Sequence, residues 1–129
     1  MNEINNKEYF TGFSDGYQAG RQSVGIHMQN YPVVTLCGST KFKDDFIEAQ
    51  KNLTLQGYIV ISVGLFGHSG DDLDGKKEML DDMHKRKIDL ADEIFVINKG
   101  GYIGSSTKSE IAYATEHNKK TRYLEEVQN

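Results

Sequence analysis

Glu93-Ile94-Phe95-Val96-Ile97-Asn98-Lys99-Gly100-Gly101-Tyr102-Ile103-Gly104-Ser105-Ser106-Thr107-Lys108-Ser109-Glu110 reads as a buried strand, a loop of glycines and small hydroxyls, and the start of a helix. The apolar run up to Ile97 is short, with β-branched and aromatic residues, as a strand covered on both faces requires. Ile111-Ala112-Tyr113-Ala114 continues the helix. Glycines at the carboxyl end of a strand let a ligand approach the backbone closely. The helix start beyond them offers unpaired N–H groups to anions. Glu110, about one turn in, places a carboxylate beside the same crevice.

The preceding chain repeats this alternation. Val33-Val34-Thr35-Leu36-Cys37 is a β-branched run ended by Gly38, and Phe42, Phe46, Ala49 and Leu53 follow at helical spacing. Gly57 closes that helix and Tyr58-Ile59-Val60-Ile61 reads as a second strand. Residues 64 to 75 hold four glycines and three aspartates, a long loop. Helical spacing returns from Lys76 to Ala91 through Met79, Leu80, Met83, Ile88 and Ala91, and a short last strand is expected near Thr121 to Leu124. The pattern predicts an α/β domain over residues 31–129, a doubly wound parallel sheet of four to five strands. Ligands of such sheets bind beyond the carboxyl ends of the strands, where the loops after Cys37 and Asn98 both fall.

Residues 1–30 stand apart. Gly12, Gly16 and Gly20 recur every four residues, beside Tyr9, Phe13 and Tyr17. This predicts an appended helix that docks through a glycine ridge, a partly ordered tail being the other reading. Each interior glycine costs roughly 1 kcal/mol against alanine, which close packing must offset. Pro32 marks the boundary.

Composition narrows the function. A formal charge of −4 argues against general nucleic-acid binding. One cysteine excludes an intramolecular disulfide and suits a reducing cytoplasm, and neither a membrane span nor a signal peptide is legible. A cytoplasmic protein with no membrane partner is expected.

Three groups of residues carry candidate chemistry. Cys37-Gly38-Ser39-Thr40-Lys41 puts hydroxyls, N–H groups and one positive charge at a helix start, which suits a phosphate or sugar oxygens, or equally a plain N-cap. Cys37 itself, ending a buried strand, reads either as packing or as a thiol nucleophile. Glu110 with Ser105, Ser106, Thr107 and Ser109 reads as a capped helix or as a carboxylate nucleophile or base at a glycosidic carbon. His84 shares an apolar stripe with Leu80 and Ile88 and can reach the crevice, whereas Lys85, Arg86 and Lys87 read as a solvated face. His68, His84 and the nearby aspartates lack metal-ligand spacing, so no metal is expected.

Together, the Cys-Gly-Ser-Thr-Lys start, the Lys87-Ile88-Asp89-Leu90-Ala91-Asp92 helix end and Gly104-Ser105-Ser106-Thr107 leading to Glu110 resemble the nucleoside 2-deoxyribosyltransferase superfamily, which includes the 2′-deoxynucleoside 5′-phosphate N-hydrolases. The resemblance spans roughly residues 33 to 124. It implies a flavodoxin-like fold, a homo-oligomer of two or more subunits, no cofactor, and a nucleoside or nucleotide as small-molecule partner. Glu110 matches the glutamate that attacks the anomeric carbon. Gly38, Ser39, Thr40 and Lys41 fall on the phosphate loop, with Lys41 in place of an arginine. Gly104, Ser105, Ser106 and Thr107 would contact the sugar or phosphate, and Gly64, Phe66, His68 and Asp71 would surround the base. His84 would hydrogen-bond the base or protonate its leaving nitrogen. Three positions depart from the family pattern: His84 and Gly104 stand where aspartates are found, and Thr35 where the hydrolases have tyrosine. A nucleotide-binding protein that does not cleave, and an oligomeric scaffold built on the glycine ridge, are the rival readings.

Overall fold

The computed structural model describes residues 29–127. The appended helix expected over residues 1–30 lies almost wholly outside them. Four strands form one parallel sheet in the order β2-β1-β3-β4: β1 (Val33–Gly38), β2 (Ile59–Ile61), β3 (Glu93–Ile97) and β4 (Lys120–Tyr123). Three helices connect them: α1 (Lys43–Leu55), α2 (Lys77–Asp89) and α3 (Ser105–Glu116). This is a doubly wound, Rossmann-like α/β fold. The chain steps from β1 to one side and then crosses to the other, so the strand order switches between β1 and β3.

That reversal places the helices. With crossovers of one hand, reversing direction sends the helices to opposite faces. On one face Val34, Leu36 and Ile97 pack with Phe46, Ala49 and Leu53 of α1. On the other Cys37, Ile94 and Val96 pack with Ile88 of α2 and Ala114 of α3. β1 and β3 are therefore covered twice, which is why their sequences run apolar without alternation. Fully burying one such side chain contributes about 1.5–3 kcal/mol.

Polar ties fix the ends. Val33 N–H donates to the Asp92 carboxylate at 2.8 Å while Asp92 N–H donates to the Val33 carbonyl at 2.8 Å, setting where β1 and β3 begin. Asn98, 1% exposed, accepts from Glu125 N–H at 2.8 Å and donates to the Glu125 carbonyl at 3.1 Å. The chain beyond β4 is thereby held against the end of β3. Glu93 accepts from Arg122 at 2.7 Å, and the guanidinium lies over the rings of Tyr58 and Phe95.

Two helical-stripe expectations shift. Met79 and Met83 are 47% and 42% exposed, because α2 meets the sheet mainly through His84 and Ile88. Among the described residues no helix is long and apolar enough to cross a membrane.

Candidate functional site

A cavity of about 510 Å³ opens at the carboxyl edge of the sheet, at the β1/β3 switch point. Small-molecule pockets usually measure about 300–1,000 Å³. The loop after β1 and the loop leading to α3 form two walls, through Gly38, Ser39 and Thr40 and through Tyr102, Gly104, Ser105, Ser106 and Thr107. The loop after β2 adds Gly64, Gly67 and His68, and α2 adds Lys77, Asp81, His84 and Lys87. Glu110 lies in the wall, its side chain 13% exposed.

The helices meet here because their far ends are pinned. Tyr113 of α3 donates to Asp89 at 2.6 Å and accepts from Arg86 at 3.0 Å, both on α2, and Lys119 donates to the Asp89 carbonyl at 3.3 Å. With α2 and α3 so held, His84 Nε2 comes within 4.0 Å of Glu110 Oε1 and 3.6 Å of Cys37 Sγ. Three residues from three elements thus meet at one point, His84 and Glu110 lining the cavity and Cys37, expected there too, fully buried outside its lining.

Burial dominates their protonation. Loss of solvent pushes Glu110 up from 4.5 to about 7, nearby Asp81 adding to the rise while the Cys37 thiol, Lys85 and Lys77 oppose it. Loss of solvent also pushes His84 down from 6.5 to about 4, helped by the Lys87 charge and opposed by a hydrogen bond to the Leu36 backbone. Burial pushes the Cys37 thiol well above its ordinary range, and Glu110 adds to this. At pH 7, His84 is neutral and Cys37 is a thiol. The general-acid role expected of His84 therefore lacks its proton, and Cys37 is no nucleophile.

The phosphate-loop expectation divides. Ser39 Oγ accepts from Lys41 N–H at 3.3 Å, capping the turn Thr40–Phe42. Thr40 Oγ1 accepts from His68 N–H at 3.1 Å and lies 2.9 Å from His68 Nδ1, while its carbonyl accepts from Ser69 Oγ at 2.7 Å. Thr40 therefore binds the β2 loop to the β1 loop across the cavity mouth. Thr40→Val is expected to cost about 1 kcal/mol and to speed amide hydrogen exchange at His68 and Ser69. Unchanged exchange there would discount the tie.

Lys41 does not line the cavity; its ammonium sits 3.7 Å from the Tyr102 ring centroid. Phe66 also leaves the lining and packs edge-on against Phe46 at 5.5 Å. The anion-seeking feature that remains is the start of α3. Gly104 is its N-cap, no side chain caps it, and Ser105 and Ser106 face the cavity.

Gly104 and Thr35 are explained by their own surroundings. A Cβ on Gly104 would sit 3.2 Å from the Tyr102 hydroxyl, so that ring fills the space a longer side chain would need. Thr35 is fully buried and donates to the Lys87 carbonyl at 2.9 Å, tying β1 to α2 rather than meeting a ligand.

No family model, curated protein or solved structure matches this chain. The site is therefore read from its own geometry. Lys87 is the residue that the sequence reading missed. Its ammonium donates to the Ser62 carbonyl at 2.9 Å at the cavity edge, and desolvation lowers its pKa. Its place three residues after His84, on the same side of the helix, was the available signal.

Proposed function

We propose that this protein cleaves or transfers at the N-glycosidic bond of a nucleoside or nucleoside 5′-monophosphate, with Glu110 as nucleophile. The observation that carries the reading is the Glu110 carboxyl, raised to about 7 in the wall of a cavity of nucleotide size beside an uncapped helix start. A carboxylate there repels an anionic ligand, so it serves binding poorly and chemistry well. The raised pKa leaves it largely ionised just above neutrality, and more basic than an ordinary carboxylate.

In the first step a Glu110 oxygen attacks C1′ of the sugar and the C1′–N bond breaks, its electron pair leaving with the base. Lys87, the partly desolvated ammonium on the cavity wall, is the proton donor toward that nitrogen in place of neutral His84. In the second step water or another base attacks C1′ and gives up its proton to the Lys87 amine, the ester C–O bond breaks, and Glu110 is released as carboxylate. Ser105, Ser106 and the α3 N-terminus hold phosphate or sugar oxygens.

The test is incubation with pooled deoxynucleosides and their 5′-monophosphates, free base being followed by chromatography with and without an acceptor base. Base release is the expected result, and its dependence on phosphate or acceptor identifies the branch. No release across the deoxy and ribo series would overturn the reading in favour of nucleotide binding without cleavage. The kcat/KM profile is expected to rise through pH 7 and to fall about tenfold per pH unit below it, because the nucleophile must be ionised. A profile flat from pH 5 to 8 would remove Glu110 from that role.

A further inference from the structure

We propose that Cys37, His84 and Glu110 form a binding site for a thiophilic divalent cation, Zn²⁺ being the best match. Their ligand atoms, one thiol sulfur, one imidazole nitrogen and one carboxylate oxygen, all lie within 4.8 Å of one another. A tetrahedral zinc with ordinary bond lengths separates sulfur and nitrogen ligands by about 3.6 Å and nitrogen and oxygen ligands by about 3.4 Å. The Sγ···Nε2 distance of 3.6 Å already fits. The Nε2···Oε1 distance of 4.0 Å needs a small inward swing of the Glu110 carboxylate.

The three ligands come from β1, α2 and α3, elements fixed by the sheet and by the Tyr113–Asp89–Arg86 contacts, so the donors converge without ordering a loop. Charge also balances. A thiolate and a carboxylate neutralise a dication, so the low-polarity floor that penalises each ion alone accepts all three together. Binding releases the Cys37 proton to solvent. His84 and Glu110 line the cavity, which leaves the fourth coordination position open to water or a ligand. The site does not depend on the glycosidic reading. Where that reading holds, the metal engages Glu110 and stops the reaction.

The full-length, tag-free chain, stripped with a chelator, is titrated with Co²⁺ as the spectroscopic probe and then with Zn²⁺. One equivalent of Co²⁺ is expected to produce a sulfur-to-cobalt charge-transfer band together with tetrahedral ligand-field bands, both displaced by Zn²⁺. Cys37→Ser is expected to abolish the charge-transfer band, and it and Glu110→Gln to weaken Zn²⁺ binding by about 100-fold or more. Absence of the band in the wild-type chain overturns the proposal whether or not a variant folds, and so does a band that survives Cys37→Ser. Base release measured on the stripped protein separates the two ideas. Metal binding without base release defeats only the glycosidic reading, and base release without metal binding defeats only the metal site.

Discussion

Glu110→Gln is expected to abolish the proposed base release, with kcat reduced by about 10⁴-fold or more and KM little changed. The substitution keeps the size of the side chain and removes the negative oxygen that the proposed mechanism bonds to C1′, and losses of that order follow removal of a catalytic nucleophile. The same substitution stabilises the fold. Glu110 binds its proton more tightly in the folded chain, at about 7 against 4.5, so ionising it opposes folding. The penalty is absent below pH 4.5, grows between pH 4.5 and 7, and is complete above pH 7. Glutamine does not carry it, so the variant gains up to about 3 kcal/mol at pH 8 and nothing at pH 4. Urea unfolding at the two pH values, beside a base-release assay, reads both effects. A variant that keeps its activity sinks the nucleophile, and one equally stable at pH 8 sinks the buried charge. Loss of activity with gain of stability is the signature of a group held against its own solvation for chemistry.

Gly38→Ala costs about 3 kcal/mol or more. Gly38 closes β1 with φ of +150°, a backbone conformation that side-chain-bearing residues rarely adopt. It also pairs with Ile97 of β3, where an added Cβ would lie 2.8 Å from the Ile97 carbonyl oxygen and 2.9 Å from its Cβ. Strain of about 1–3 kcal/mol and overpacking of about 1–3 kcal/mol act at one position. Neither neighbour can yield cheaply, because one is ladder backbone and the other belongs to a fully buried side chain. Relief requires β1 and β3 to separate at their carboxyl ends, beneath the cavity. The melting temperature therefore drops and the cavity floor widens. A variant within 0.5 kcal/mol of wild type would show that the two strand ends can part freely.

The architecture was legible because it depends on periodicity. Val33–Cys37 and Glu93–Ile97 carry the unbroken apolar run of strands covered on both faces, and Phe46, Ala49 and Leu53 mark one side of a helix. The place of Glu110 was legible for the same reason, since a helix following β3 must begin at the sheet edge where ligands bind. What escaped depends on where long or polar side chains end. Lys87 follows two other cations, and composition does not reveal that its stem bends inward to Ser62. Lys41 turns onto Tyr102, a residue sixty-one positions away. Phe66 sits in a glycine-rich loop yet enters the core against Phe46. The three prospective metal ligands lie at 37, 84 and 110, with no local spacing to reveal them, and only the switch in strand order brings them together.

The sheet has a further consequence at its margins. β2 contributes three residues and β4 four, while the long strands lie inside. An outermost strand recruits another chain by offering a row of unpaired N–H and C=O groups, and so short a row provides few rungs for such a ladder. Extension of the sheet by a second copy would gain little hydrogen bonding at either margin. Any self-association through the described sheet would therefore rest on side-chain surfaces, where partner choice follows shape and charge.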